Sequence, residues 1–254
     1  MRRIRVIPVL LLQNNGLYKT VKFKNPKYIG DPINAIKIFN EKEVDELCVL
    51  DITAGSEKKR PNFKLIQEFA SECFMPVCYG GGIRTLEDAR QLFSLGIEKI
   101  ALNNSAVNNP DLIAQIAGMY GSQAVVVSID YKKSFWGNNQ VYTLNGSVKT
   151  NYEVTEFAKI AESNGAGELL LNSIERDGMM QGYDLETIKK VSDSVKIPVI
   201  ASGGAGSVED LGLAVKQGGA SAVAAGSMFV FQGKLRGVLI NFPGQAELKQ
   251  KVYC

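Results

Sequence analysis

A single (β/α)8 barrel of the α/β class, built from two similar half-barrels, is what this sequence predicts, and three observations carry the prediction. The 254-residue chain is 45% hydrophobic, enough for one large core. Eight short apolar runs recur along it, each nearly continuous, as expected of strands buried on both faces of a parallel sheet. An amphipathic stretch follows each run, and no change of composition divides the chain, so residues 1–254 read as one domain.

The elements follow in order. "RVIPVLLL" (5–12) is the first strand. Its basic prelude runs into polar loop residues with no small-residue cleavage site, so the start reads as strand and not as a signal peptide. "DPINAIKIFNEKEVD" (31–45) is the first helix. "ELCVLDI" (46–52) and "NFKLIQEFASEC" (62–73) form the second unit, "MPVCYGG" (75–81) and "TLEDARQLFSLG" (85–96) the third. "KIALNN" (99–104) precedes "NPDLIAQIAGMYG" (109–121), whose Leu112, Ile113, Ile116 and Ala117 keep helical spacing. "AVVVSID" (124–130) with "NYEVTEFAKIAESNG" (151–165) and "ELLLNS" (168–173) with "YDLETIKKVSDSV" (183–195) continue the alternation. "IPVIASGG" (197–204) leads to "SVEDLGLAVKQGG" (207–219), and "SAVAAGS" (221–227) is the last strand. Thr85 with Asp88 and Ser207 with Asp210 have the spacing of helix N-caps. The eighth helix is the weakest, because Gly237, Pro243 and Gly244 interrupt its segment.

Composition excludes several function classes. With no histidine, the chain has no Ser-His-Asp triad, no Cys-His dyad and no His-ligated metal, and acid–base work falls to Asp, Glu, Lys, Tyr or Cys. A net charge of +3 gives no support to a nucleic-acid partner, and no apolar run is long enough to span a bilayer. Cys48, Cys73, Cys78 and Cys254 form no CxxC pair; Cys48 and Cys78 read as buried thiols, no metal site is expected, and the cytoplasm is the default compartment. The glycine turns lack the spacing and acidic partner of a dinucleotide site, so no cofactor is expected.

Two loops after strands are long. Residues 13–30 alternate apolar and basic residues, either as a solvated basic hairpin or as a loop whose Lys19 meets an anion. Residues 132–150 carry a hairpin signal at Asn145-Gly146. "YGGGIRTLED" and "ASGGAGSVED" each read as strand, glycine turn and capped helix, a combination that brings backbone N–H groups and a helix N-terminus to an anion. The spacing from Gly80 to Asn103 repeats from Gly203 to Gly226, which points to two related halves. Gly81, Gly82, Asn103 and Asn104 then form one phosphate site, and Gly203, Gly204, Gly226 and Ser227 its counterpart. The alternative is a pair of tight turns with no ligand.

"DITAG", "VCYGGGIRTLEDAR", "GSQAVVVSID", "GAGELLLNSIERDGMMQGYDLE" and "IPVIASGGAG" together resemble the HisF family, the cyclase subunit of imidazole glycerol phosphate synthase, over nearly the whole chain. The resemblance implies a TIM barrel docked to a HisH-like glutaminase subunit, with ammonia crossing the barrel to a bisphosphorylated substrate. It implies Asp130 as a catalytic acid–base residue, Asp177 and Gly178 beside the phosphates, and Lys19, Asp51, Asn172 and Ser202 as substrate contacts. It implies a charged gate of Arg5, Glu46, Lys99 and Glu168, with Glu98 at the partner interface and Leu10 and Val127 along the ammonia route. Two departures stand out. The family's second catalytic aspartate ends the first strand, where this chain has Leu11, unless that strand shifts register; and Asn172 replaces a usual threonine.

"LYKTVKFKNPKYIGDPINAIKIFNEKEVDEL", "ECFMPVCYGGGIRT" and "AAGSMFVFQGKLRGVLINFP" resemble more closely the HisF-like WbuZ/AglZ branch, associated with acetamidino modification of surface glycans. That implies ammonia supplied to a separate sugar amidotransferase. An authentic cyclase of histidine biosynthesis is the alternative, and a sugar-phosphate-binding barrel with no ammonia role is a third.

Overall fold

The computed structural model describes residues 4–134, 137–233 and 235–253; the basic prelude at 1–3 and Cys254 lie outside them. The barrel strands are β1 (Arg5–Gln13), β2 (Leu47–Asp51), β3 (Val77–Gly80), β4 (Lys99–Leu102), β5 (Val125–Lys133), β6 (Glu168–Ser173), β7 (Val199–Ser202) and β8 (Ala222–Ala225). Each pairs in parallel with the next, and β8 pairs with β1 through Arg5↔Ala222 to Pro8↔Ala225, which closes the barrel. The helices of the eight units are α1 (Pro32–Glu41), α2 (Phe63–Ala70), α3 (Leu86–Ser94), α4 (Asp111–Tyr120), α5 (Val154–Ser163), α6 (Leu185–Ser194), α7 (Val208–Lys216) and α8 (Gln245–Lys251). Despite its interrupted approach, α8 forms and buries Leu248 completely.

Local chemistry sets the helix starts. Asp31 caps α1 by accepting from the Asn34 amide, with Pro32 in the first turn. Thr85/Asp88 and Ser207/Asp210 form full capping boxes at α3 and α7. The half-barrel correspondence differs in one detail from the sequence expectation. β3 ends at Gly80 and β7 at Ser202, so the interval to Asn103 and Gly226 is one residue longer in the second half.

Two apolar shells share these strands. The outer shell fills the space between strands and helices and holds Phe39, Phe69, Tyr79 and Phe157. The inner shell is small and aliphatic: Ile7, Val9, Ala101, Val126, Leu170, Ile200, Ala222 and Ala224, with Cys48 and Cys78. Leu10 and Val127 belong to the outer shell. The expectation that they line the barrel interior is therefore corrected: successive strand residues face opposite ways, and the inward set is Arg5, Ile7, Val9 and Leu11 on β1 and Val126, Ser128 and Asp130 on β5.

Both long loops are antiparallel hairpins at the C-terminal end. Gly16–Val21 pairs with β1 and with Lys24–Gly30; Asn139–Thr143 pairs with β5 and with Val148–Glu153. The second turns through Leu144, Asn145 and Gly146, all at positive φ, as the Asn-Gly signal requires. The hairpins converge over the mouth, where Gly146 packs against Phe23 and Ile174. The Asn145 side chain also donates to the Ile52 carbonyl at 2.6 Å.

Candidate functional site

The strand ends on the C-terminal face surround a cavity of about 370 Å³. Its walls include Lys19, Asp51, Gly81, Gly82, Asn103, Asn104, Asp130, Asn172, Asp177, Gly178, Ser202, Gly203, Gly204, Gly226 and Ser227, so every sequence-predicted ligand residue of the mouth reaches one cavity. Leu11 also lines it, from the strand opposite Asp130. The β1 register, with Leu11 beside Leu50 and Leu12 beside Asp51, brings no other acid from β1 inward. The Gln13 side-chain oxygen is buried without a partner.

Asp130 is the central acid. Burial pushes its carboxyl up to about 7, against hydrogen bonds from Asn172 and Ser128 and with the Asp177 charge adding to the rise. The Asn103 amide donates to it at 3.3 Å and to the Ser128 carbonyl at 2.9 Å. A carboxyl poised near neutrality can give or take a proton, but Leu11 opposite can do neither. The Asn172 side-chain oxygen is buried beside it without a partner.

Lys19 differs from the other lysines of the first hairpin. It is 5% exposed and donates to the Val9 carbonyl, whereas Lys24 and Lys27 of the same hairpin are exposed. Burial pushes its ammonium down to about 8, against the attraction of Asp177. A Cβ on Gly226 would come within 2.0 Å of Lys19 Nζ, so only glycine leaves the ammonium this seat beside the turn after β8.

The two glycine turns are followed on the neighbouring strands by short helices, Asn104–Asn108 after β4 and Ser227–Val230 after β8. Neither has a side-chain cap, in contrast to α1, α3 and α7, so no side chain occupies their first-turn N–H groups. Gly82 and Gly204 line the same two sides. Asp177 lines the cavity and is also tied into the scaffold. Its carboxyl, raised by burial, accepts from Thr20 Oγ1 at 3.1 Å; its N–H is used by the Ser173 carbonyl; and its own carbonyl accepts from Lys22 N. It ties the first hairpin to the loop after β6. Asp51 likewise caps the helix Ile52–Ser56 through the Thr53 and Ala54 amides. The Thr20–Asp177 tie and Ser128 were not singled out in the sequence, although Ser128 lies two residues before Asp130 on the inward face.

At the opposite end Arg5, Glu46, Lys99 and Glu168 meet across the barrel floor. Arg5 contacts Glu46 at 2.5 Å and Glu168 at 2.7 Å; Lys99 contacts them at 2.8 and 3.1 Å. The ring is electrically balanced and alternates in sign, which is how four charges become tolerable there. Glu98 is exposed beside Lys99. Among the described residues, no group of three or more Cys, Asp or Glu is arranged to hold a metal, and no helix is long and apolar enough to cross a membrane.

Comparison with known proteins agrees with this geometry. The family model described as "Histidine biosynthesis protein" matches residues 5–236. A protein of Pseudomonas aeruginosa named "Putative imidazole glycerol phosphate synthase subunit hisF2" is 55% identical over 243 residues, 96% of this chain and 97% of that protein. The similarly named hisF3 protein of Vibrio vulnificus is 49% identical over 251 residues, 98% of this chain and 96% of that one. The "Imidazole glycerol phosphate synthase subunit HisF" of Alkaliphilus metalliredigens is 43% identical over 225 residues, 89% of each. A closed parallel barrel, a family match over nearly its whole length and these relatives place the chain in the histidine biosynthesis protein family, among the HisF-like barrels.

Proposed function

We propose that the chain, as one barrel over residues 1–254, is the synthase-type subunit of a cytoplasmic glutamine amidotransferase. It takes ammonia from a HisH-like glutaminase at the floor and delivers it through the barrel to a separate sugar amidotransferase that forms an acetamidino group on a surface-glycan sugar. One observation carries this reading: the charged floor is complete, while the mouth has Leu11 where a second acid–base group would be needed. A proton-transfer group contributes on the order of 10²–10⁴ in rate, which a leucine side chain forfeits.

The inner shell suits neutral ammonia, because an aliphatic interior admits a neutral polar molecule at far lower cost than ammonium. On the floor, Glu98 and Phe74, which is 88% exposed in the loop before β3, offer a charged and an apolar contact to the glutaminase. The phosphate turns and Asp130 favour the second reading, an authentic cyclase of histidine biosynthesis using a bisphosphorylated substrate.

The assay reconstitutes the chain with its glutaminase and the amidotransferase and follows glutamate formed per sugar amidated. Lys99→Ala and Glu168→Ala are expected to leave glutamine hydrolysis running and to lower amidation. An unchanged ratio in both would show that ammonia does not pass this way. Turnover of the histidine-pathway substrate at an ordinary cyclase rate would favour the second reading.

A further inference from the structure

Between the charged floor and the polar mouth, the barrel interior carries heteroatoms on two side chains among the described residues, Cys48 and Cys78. They are neighbours in register on β2 and β3, and both face inward. Cys48 on β2 lies two residues beyond Glu46, on the same inward face. Cys78 is in register with Lys99 on β4. The pair therefore sits directly over the ring, and the rest of the inner shell is aliphatic.

We propose that the Cys48–Cys78 thiol pair is a binding site for neutral ammonia, a relay station between the charged floor and the mouth. This rests on the conduit reading above and deepens it. A molecule of ammonia leaving the ring loses hydrogen-bond partners in an apolar bore, and an unpaired polar molecule there is costly. A thiol is a weak donor and a weak acceptor. One S–H can donate to the ammonia nitrogen while the other sulfur accepts an N–H. Weakness is an advantage, since a strong partner would hold the molecule and stop transit. The neighbouring Cys48 and burial both push the Cys78 thiol up, so it stays neutral and does not trap ammonia as an ion pair. The thiols are otherwise unexplained: both are free and buried, and burial raises the Cys78 thiol, which makes it a poor nucleophile.

Two measurements test this. In the first, the S–H stretching band of the isolated chain is followed by infrared spectroscopy in a Cys73→Ser/Cys254→Ser background. Ammonium chloride at alkaline pH, where ammonia is largely neutral, is expected to shift the band; sodium chloride at the same pH is not. In the second, Cys48→Val/Cys78→Val and Cys48→Ser/Cys78→Ser are compared in the reconstituted complex. The valine pair keeps packing but loses the hydrogen bonds, so amidation per glutamate is expected to fall about two- to tenfold, the factor for one weak hydrogen bond. The serine pair keeps donors and acceptors and is expected to retain coupling. A band unmoved by ammonia, or a valine pair that couples as the wild type does while Lys99→Ala uncouples, would overturn the relay and leave the conduit standing. If Lys99→Ala also leaves coupling intact, the conduit reading fails and the relay with it.

Discussion

Removing one charge from the floor ring and then restoring the balance gives a prediction that follows directly from the geometry. Lys99→Met deletes the ammonium that lies 2.8 Å from Glu46 and 3.1 Å from Glu168, while its stem volume is largely kept. Two carboxylates then face the Arg5 guanidinium alone, and the Glu46 side chain is only 3% exposed. Breaking a buried ion pair on one side costs ~3–5 kcal/mol, and the lower end, about 3 kcal/mol, applies because Arg5 still contacts both acids. At about 2–4 °C per kcal/mol for a chain near this size, the melting temperature is expected to fall by roughly 6–12 °C. Glu168→Gln leaves the opposite imbalance, with two cations facing Glu46. The double variant has one cation and one anion again, the Arg5–Glu46 pair, so its loss should be smaller than the sum of the single losses by at least about 1 kcal/mol. The assay is a double-mutant cycle in calorimetric melting of the three variants and the wild type at one pH and salt concentration. Strict additivity would refute the ring as an energetic unit.

Two other outcomes follow from the mouth. Asp130 binds its proton up to about 7 in the folded chain and only to about 4 when unfolded, so between those pH values the folded state holds more protons and this group's contribution to stability falls as pH rises. Asp130→Asn is expected to melt progressively higher relative to wild type from pH 4 to 7, and a constant difference across that window would show that Asp130 has no raised pKa. Gly226→Ala places a methyl group 2.0 Å from the present Lys19 Nζ position and should displace that flexible ammonium towards water with little loss of stability. A nitrogen-detected titration of Lys19 should then move from about 8 towards the ordinary lysine value, and an unmoved titration would mean that Lys19 does not occupy this seat.

The alternation of apolar runs and amphipathic stretches determined the barrel by itself, and Thr85, Asp88, Ser207 and Asp210 determined two of its helix starts, because caps and periodicity are local chemistry. The glycine turns were legible for the same reason. Tertiary structure alone decided which face of each strand points inward. A strand buried on both sides has no polar–apolar alternation to reveal its parity, so Leu10 and Val127 could not be told in sequence from Leu11 and Val126. The same is true of contacts between distant positions. Thr20 meets Asp177, and Arg5 meets Glu168, only because barrel closure brings the first strand and the sixth to opposite sides of one narrow bore. Asp177 shows the consequence most clearly: the family resemblance implies a place beside phosphate, and only the closed barrel shows that Thr20 and Lys19 lie against its carboxyl.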